Sequence, residues 1–502
     1  MAFTQIISRL TAFGLAMAAI SAATAAGAGP VVEGYLPSHR GLETTLATTG
    51  VAPYSEVALS FINPDTAGRF VNGDAMACMT DRFLTPLPTA TVRNAIATVH
   101  AAHARAIGAL AGALPPKCAG DWAQAISPAN RARTISALVA LADAQGFDGL
   151  DVDIEADLLA RLIKSGDYTP FVRDLARALH AHHKTLSGTT ASYVDGTIPL
   201  DAITAFDRIE VMTYDDNVQG DEEASMSQFR SDLYLWLGRG VPRDKLMVGL
   251  PFYGRGYGTY SYAYTYRDLV AAFGPQTGDI IGKVCATCSY VTFNGPATIT
   301  QKTALAVAKT GGVMVWEMSE DTPDGTLTHA MQAGLKAAPP PPPAPSTSGP
   351  PAGRVLNTPD ARAWTIFGSK TYTLVPEGRG NIFEATIAKP TENTWDVGAT
   401  LPVTGAIKAG DRIVFAVRAR LKAADPDTQL DVPAVLEGVK SPYGEALNGT
   451  MVVTTQWQWL RVTGVVTADH PANTLNAALQ IGGAAKVIDL GAAVIVDEGP
   501  AS

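Results

Sequence analysis

Along the first part of the chain, short apolar runs alternate with longer stretches whose apolar residues recur at helical spacing. The runs fall at residues 31–35, 57–61, roughly 107–114, 149–155, 186–193, 209–214, 246–252 and 312–316, and each has the length of a buried strand. Between them, residues 134–145, 171–183 and 228–238 carry apolar side chains at helical intervals. Eight strand-then-helix units within about 310 residues predict an α/β fold, a (β/α)8 barrel. A doubly wound open sheet would alternate in the same way, but no glycine-rich phosphate loop follows the first strand.

The texture changes after residues 337–353, which read AAPPPPPAPSTSGPPAG and can neither join a sheet nor bury a core. As polyproline II, at about 3.1 Å per residue, this linker would span roughly 50 Å and hold two bodies apart. Beyond it, residues 412–420, 457–463 and 493–497 alternate apolar and polar side chains, the pattern of sandwich strands with one face buried. The expected organisation is a barrel over residues 27–336, the linker, and an all-β sandwich over 354–502. Residues 1–26 carry Arg9, an apolar run over 10–20 and then small residues, as a cleavable export signal does. That run is shorter than the roughly 20 residues a membrane-spanning helix needs, and no later segment resembles one. The protein is expected outside the cytoplasm, extracellular or periplasmic.

Charge and cysteine content sharpen this reading. With 47 acidic against 38 basic residues the formal charge is −9, which offers no footprint for nucleic acid or an anionic membrane and suits a neutral substrate. The chain holds four cysteines, an even number in a chain that leaves the reducing cytosol. Cys285 and Cys288 are expected to close a local disulfide, with Cys78 and Cys118 as the other bridge. Half a zinc site or a redox pair is the alternative for Cys285-Ala-Thr-Cys288, but no second Cys or His pair lies nearby.

The chemistry concentrates in Gly149-Leu-Asp-Val-Asp-Ile-Glu155. Successive strand side chains point to opposite faces, so Asp151, Asp153 and Glu155 share one face while Leu150, Val152 and Ile154 share the other. Three acids on the inner face of a parallel barrel strand are costly and call for a function. Neighbouring acids about 6 to 7 Å apart along the strand can close that gap through their rotamers and share a proton. One then stays protonated near neutrality and can serve as a general acid. Glu155 is the expected donor, because barrel active sites lie at the C-terminal ends of the strands. Asp148 is off this parity and is expected to shape the start of the strand. The competing readings are a hard-metal site and a buried polar network.

Asp148-x-x-Asp151-x-Asp153-x-Glu155, with the flanking Phe-Asp-Gly-Leu-Asp, resembles the signature of family 18 glycoside hydrolases. Val211-Met-Thr-Tyr-Asp215, residues 248–255 and residues 311–317 resemble the family's sixth, seventh and eighth strand motifs, so the likeness runs over roughly residues 31–335. The resemblance implies a retaining, substrate-assisted, chitinase-like reaction without metal or organic cofactor. Glu155 would protonate the glycosidic oxygen, Asp153 would orient the substrate's acetamide, Asp151 would support Asp153, and Tyr214 would hydrogen-bond the acetamido carbonyl. Asp215, Met212, Trp316, Tyr35 and Phe61 would line the substrate subsite. Tyr214 and Trp316 have an alternative reading as core aromatics at the barrel mouth, and Met212 as plain packing. The implied partner is a glycan containing β-1,4-linked N-acetylglucosamine, cut endo-wise by a monomer that neither binds nucleic acid nor inserts into a membrane. The N-glycan core or peptidoglycan is the runner-up substrate, and a noncatalytic glycan-binding protein the alternative from another class.

Two departures from the family pattern stand out. The third strand has Ala109-Leu-Ala-Gly-Ala113 where a serine with paired glycines is usual, so the support of the inner aspartate is expected to differ. Between the seventh and eighth strands residues 254–311 read as a short tyrosine-rich loop, which predicts a low cleft wall. Three tryptophans in the barrel, Trp122, Trp236 and Trp316, predict a shallow, nonprocessive cleft. The C-terminal part more weakly resembles jelly-roll carbohydrate-binding modules, with Trp364, Trp395, Trp457 and Trp459 as candidate sugar platforms.

Overall fold

The computed structural model describes residues 29–193, 196–215, 219–340, 349–368, 371–377 and 380–501. The signal-like segment and residues 341–348 of the proline-rich stretch lie outside the described residues. Eight parallel strands close into a barrel: β1 (Val31–Pro37), β2 (Glu56–Ile62), β3 (Arg105–Ala111), β4 (Gly149–Asp153), β5 (Thr185–Ala191), β6 (Arg208–Met212), β7 (Leu246–Pro251) and β8 (Gly312–Trp316). Each pairs with its sequence neighbour, and β8 closes on β1 through Val31 opposite Gly312. Every predicted run is therefore a barrel strand.

Strand parity decides what faces each way. Leu150, Val152, Leu186, Ile209, Val211, Val248 and Val313 point outward and are fully buried under the surrounding helices. Burial of such a side chain stabilises the fold by about 1.5–3 kcal/mol. The third strand ends at Ala111, short of the predicted limit, because Gly112 turns the chain with φ of 81°. A Cβ on Gly112 would lie 2.6 Å from the Phe61 ring, so the turn also needs glycine for space.

The segment after β7 corrects the expectation of a bare loop and a low wall. Tyr253–Tyr257 pairs with Ala263–Thr265 on one side and Tyr290–Phe293 on the other, and Ile280–Gly282 completes a four-stranded antiparallel sheet. Helix Tyr266–Phe273 joins the second and third of these strands in chain order. Tyr266, Tyr290 and Phe293 are buried, so part of the tyrosine content is core of an α+β insertion that raises a wall beside β7. Strands of three to five residues give no periodic run in sequence. Both expected disulfides are present, Cys78 to Cys118 and Cys285 to Cys288, the second in the turn before Tyr290.

The C-terminal part is all β. One sheet orders Tyr372–Glu377, Gly380–Ile387, Lys486–Pro500, Asp411–Lys422 and Gln458–Val465, with Arg354–Val355 added beside Lys486–Pro500. The other orders Thr365–Phe367, Gly398–Val403, Leu475–Gln480, Gln429–Gly438 and Glu445–Thr454. Trp364 is buried and donates its indole N–H to the Gly491 carbonyl at 3.0 Å, which removes it from the candidate platforms. Trp395 is 45% exposed, whereas the Trp457 ring lies under the guanidinium groups of Arg418 and Arg420.

The two bodies are not held apart as the linker's stiffness suggested. Helix Met226–Gly238 of the barrel packs on strand Gln429–Gly438. Buried Asp427 accepts from Tyr234 and lies 3.6 Å from Arg230 and 3.2 Å from Lys309. Gln429 donates to the Ser227 carbonyl at 2.9 Å, and Arg239 to the Glu392 carbonyl at 3.0 Å. A tether sets only how far apart two bodies can be, while complementary faces on the two bodies decide the distance. Because removing one member of a buried pair strands its partners, Asp427→Ala is expected to cost about 3 kcal/mol. Calorimetry of this variant should resolve two thermal transitions, barrel and β module, where the unaltered protein shows one.

Candidate active site

β4 ends at Asp153, and Glu155 follows as the N-terminal flank of helix Ala156–Ser165 without capping it through its side chain. Ala156 turns the chain in the left-handed region at φ 50°. Glu155 thus keeps the inward parity of Asp151 and Asp153 while standing clear of the sheet at the C-terminal mouth. The backbone of β4 is tied to its neighbour, since Gly112 N–H donates to the Asp153 carbonyl at 2.7 Å. Asp148, as its parity suggests, braces the strand start: its Oδ2 accepts from the Ala106 N–H at 2.8 Å.

The three inward acids differ in surroundings. Asp151 is fully buried and accepts from Ser187 at 3.0 Å, Thr189 at 3.1 Å and Tyr35 at 3.0 Å. Burial and the nearby Glu210 charge push its pKa up to about 8 against the pull of those hydroxyls. Asp153 is held well above the carboxylate range, first by burial and then by the charges of Glu155, Asp151 and Glu210. A side-chain hydrogen bond couples it to Glu155, and since two carboxylates only accept, that bond needs one proton held between the two groups. Glu155 is pushed up to about 7 by burial and by Asp215, opposed by the bond from Asp153 and by the Ala113 N–H. Ala109 sits opposite Asp151 on β3, so the hydroxyls that support this aspartate come from β5 instead of the third strand.

The remaining predicted residues gather at the same mouth. Tyr214 is 3% exposed, its hydroxyl 3.4 Å from the Met314 sulfur and its ring edge-on to Tyr253. Gly249 makes room for it, because a Cβ there would meet the ring at 2.4 Å. Trp316 stacks on Phe61 at 5.8 Å and tilts against Tyr35 at 5.5 Å. Met212 is half-buried against the same inner cluster. Asp215 has φ 65°, is gripped by Arg255 through bonds of 2.6 to 2.9 Å, and donates its own N–H to Glu223 at 2.9 Å.

Arg255, Tyr253 and Glu223 were missed by sequence reasoning, as were Glu33 and Glu210 beneath Asp151. Parity could have found the last two: residues 31, 33 and 35 and residues 208, 210 and 212 alternate just as the β4 acids do. Glu223 lies in a loop with no periodic pattern, and only the fold brings it to Asp215. Among the described residues, no group of three His, Cys, Asp or Glu is placed to hold a metal ion. No helix among them is long and apolar enough to cross a membrane.

Known proteins resemble this chain in sequence and in fold. Chitinase 63 of Streptomyces plicatus is 33% identical over 132 residues, 22% of this chain and 20% of its own length. Chitinase C of Streptomyces lividans is 32% identical over 150 residues, 26% of this chain and 22% of its own length. The matched region thus spans about a fifth of these two curated relatives. Nod factor hydrolase protein 1 of Medicago truncatula is 24% identical over 270 residues, 42% of this chain and 67% of its own. The fold matches the crystal structure of the GH18 chitinase ChiB of Flavobacterium johnsoniae, with TM-score 0.51 at 24% identity over 62% of this chain and 94% of that one. The profile of Glycosyl hydrolases family 18 matches residues 53–321, more than half of the sequence, and the chain belongs to that family.

Proposed function

We propose that the protein is an exported hydrolase of β-1,4-linked N-acetylglucosamine polymers that works with retention through its substrate's own acetamide. The observation that carries this reading is the row of inward acids along β4 and at its end, with Asp151 and Asp153 buried and Glu155 at the mouth where Tyr214 and Trp316 also gather. In the proposed reaction Glu155 gives its proton to the glycosidic oxygen as that oxygen leaves the anomeric carbon. The acetamido carbonyl oxygen attacks that carbon from the other side, and Asp153 holds the acetamide N–H and the positive charge that develops. Water then opens the oxazolinium ring, and Glu155 takes up the water's proton. Tyr214 holds the carbonyl oxygen, Trp316 with Tyr35 and Phe61 forms an apolar floor for the sugar, and Asp215, clamped by Arg255, lines the same subsite beside Met212.

The names of the relatives, two chitinases and a Nod factor hydrolase, support an N-acetylglucosamine polymer as the substrate class. The runner-up, an N-glycan core or peptidoglycan, drew on a low cleft wall and on sparse tryptophans, and the α+β insertion beside β7 removes the first of these grounds. The signal-like leader supports export, and the docked β module is proposed as an accessory body for holding glycan.

Glu155→Gln should lower turnover by about 10²- to 10⁴-fold with oligosaccharide binding retained, measured by product release and by calorimetric titration. Glu155 must be protonated to act and its pKa is raised to about 7, so activity is present below that pH and lost above it. A pH series should show kcat/KM falling tenfold per unit above about 7. Mass spectrometry of products from chitin oligosaccharides, a high-mannose glycopeptide and peptidoglycan ranks the substrates, and turnover of none by folded protein would end the hydrolase reading.

A further inference from the structure

The lower half of the barrel holds acids that the proposed reaction does not use. Glu33 on β1 and Glu210 on β6 are 1% and 0% exposed. Both oxygens of Glu33 and Oε1 of Glu210 receive no hydrogen bond from any donor group among the described residues. The two carboxyls are electrostatic neighbours, and three of their four oxygens find no donor group among these residues. Carboxylates only accept, so a proton on one of the two is what lets them satisfy each other.

The other oxygen of Glu210 faces the catalytic row. Tyr35 Oη lies 2.9 Å from Glu210 Oε2, 3.0 Å from Asp151 Oδ2 and 2.9 Å from Thr189 Oγ1. A single hydroxyl has a single proton to donate. Asp151 also accepts from Ser187 and Thr189, so the one Tyr35 proton serves either Asp151 or Glu210, and Tyr35 couples the two carboxyls. Arg105 and Arg208 are both engaged on Glu56, and of the two Arg208 also acts through its charge on Glu33 and Glu210. Around the pair, then, stand Glu56, Arg105 and Arg208 beneath, Tyr35 and Asp151 beside, and Asp153 and Glu155 above, flanked by Tyr168 and Tyr214. Burial first, then mutual repulsion with Glu210 and Glu56, holds Glu33 well above the usual carboxylate range, and burial raises Glu210 also.

We propose that Glu33 and Glu210 share one buried proton and act through Tyr35 as positioning residues for Asp151, setting the pH range in which the Asp153–Glu155 pair operates. This rests on the hydrolase reading for its consequence, though not for the shared proton. The pair keeps one negative charge beneath Asp151, and that charge helps keep protons on the acids above it.

Two full-length variants test the assignment. Glu33→Gln keeps a donor to Glu210 and so imitates the protonated acid. Its alkaline limb of kcat/KM should stay in place, while the infrared band of buried neutral carboxylic acid at mildly alkaline pH should weaken by one group. Glu210→Gln removes the charge, and its alkaline limb should move down by about one pH unit. A merely structural role would lower kcat at every pH without moving the limb, and that result overturns the proposal. So does an undiminished band in Glu33→Gln. The infrared measurement needs no substrate, so a protein that cleaved no glycan would defeat the hydrolase reading and leave the shared proton decided by the band. Should Glu210→Gln not fold, the band of Glu33→Gln decides alone.

Discussion

Carboxyl groups buried along the barrel axis, where each must find a proton, a hydroxyl or a cation, organise this molecule. The outward faces of the eight strands are hydrocarbon, and that hydrocarbon excludes water from the interior on which the acids converge. A charge there is costly, so acids facing one another without another donor hold a proton between them. Glu56 is neutralised by Arg105 and Arg208 at the bottom of the column. Asp151 lies among three hydroxyls midway, and Asp153 and Glu155, both held above the usual carboxylate range, stand at the top.

The rest of the structure holds the mouth of this column in shape. Phe61, Tyr35 and Trp316 form one aromatic side, and Gly112 and Gly249 supply the space that Phe61 and Tyr214 occupy. The α+β insertion contributes Tyr253 and Arg255, and Arg255 fixes Asp215 beside Tyr214. Helix Met226–Gly238, which follows the loop carrying Glu223, is also the helix on which the β module docks. Barrel, insertion and module therefore meet on a common scaffold, and the module's buried Asp427 ties that scaffold from the far side.

Much of this was legible in the sequence, for reasons that differ by element. The eight strands were readable because parallel barrel strands bury both faces and so appear as short apolar runs. Asp151, Asp153 and Glu155 were readable because alternation along one strand is a local property, and the disulfides because four cysteines leave few pairings. The insertion was not readable, since its strands are three to five residues long and its tyrosines serve both core and surface. Trp364 could not be told from a surface platform, because it sits between a 3-10 turn and a strand, where no periodicity says which way the ring points.

By itself, then, the sequence determined the alternation of strand and helix, the row of acids on β4 and the place of Glu155 at its end, all of which depend on neighbours close along the chain. Tertiary structure alone decided the rest. Asp151 receives its hydroxyls from β5 and β1, Asp215 its arginine from the insertion, and Glu210 its facing acid from β1, 177 residues earlier in the chain. The linker likewise said nothing of the docked module. Proton sharing and docking both depend on distances between groups remote in sequence, and only closure of the barrel sets those distances.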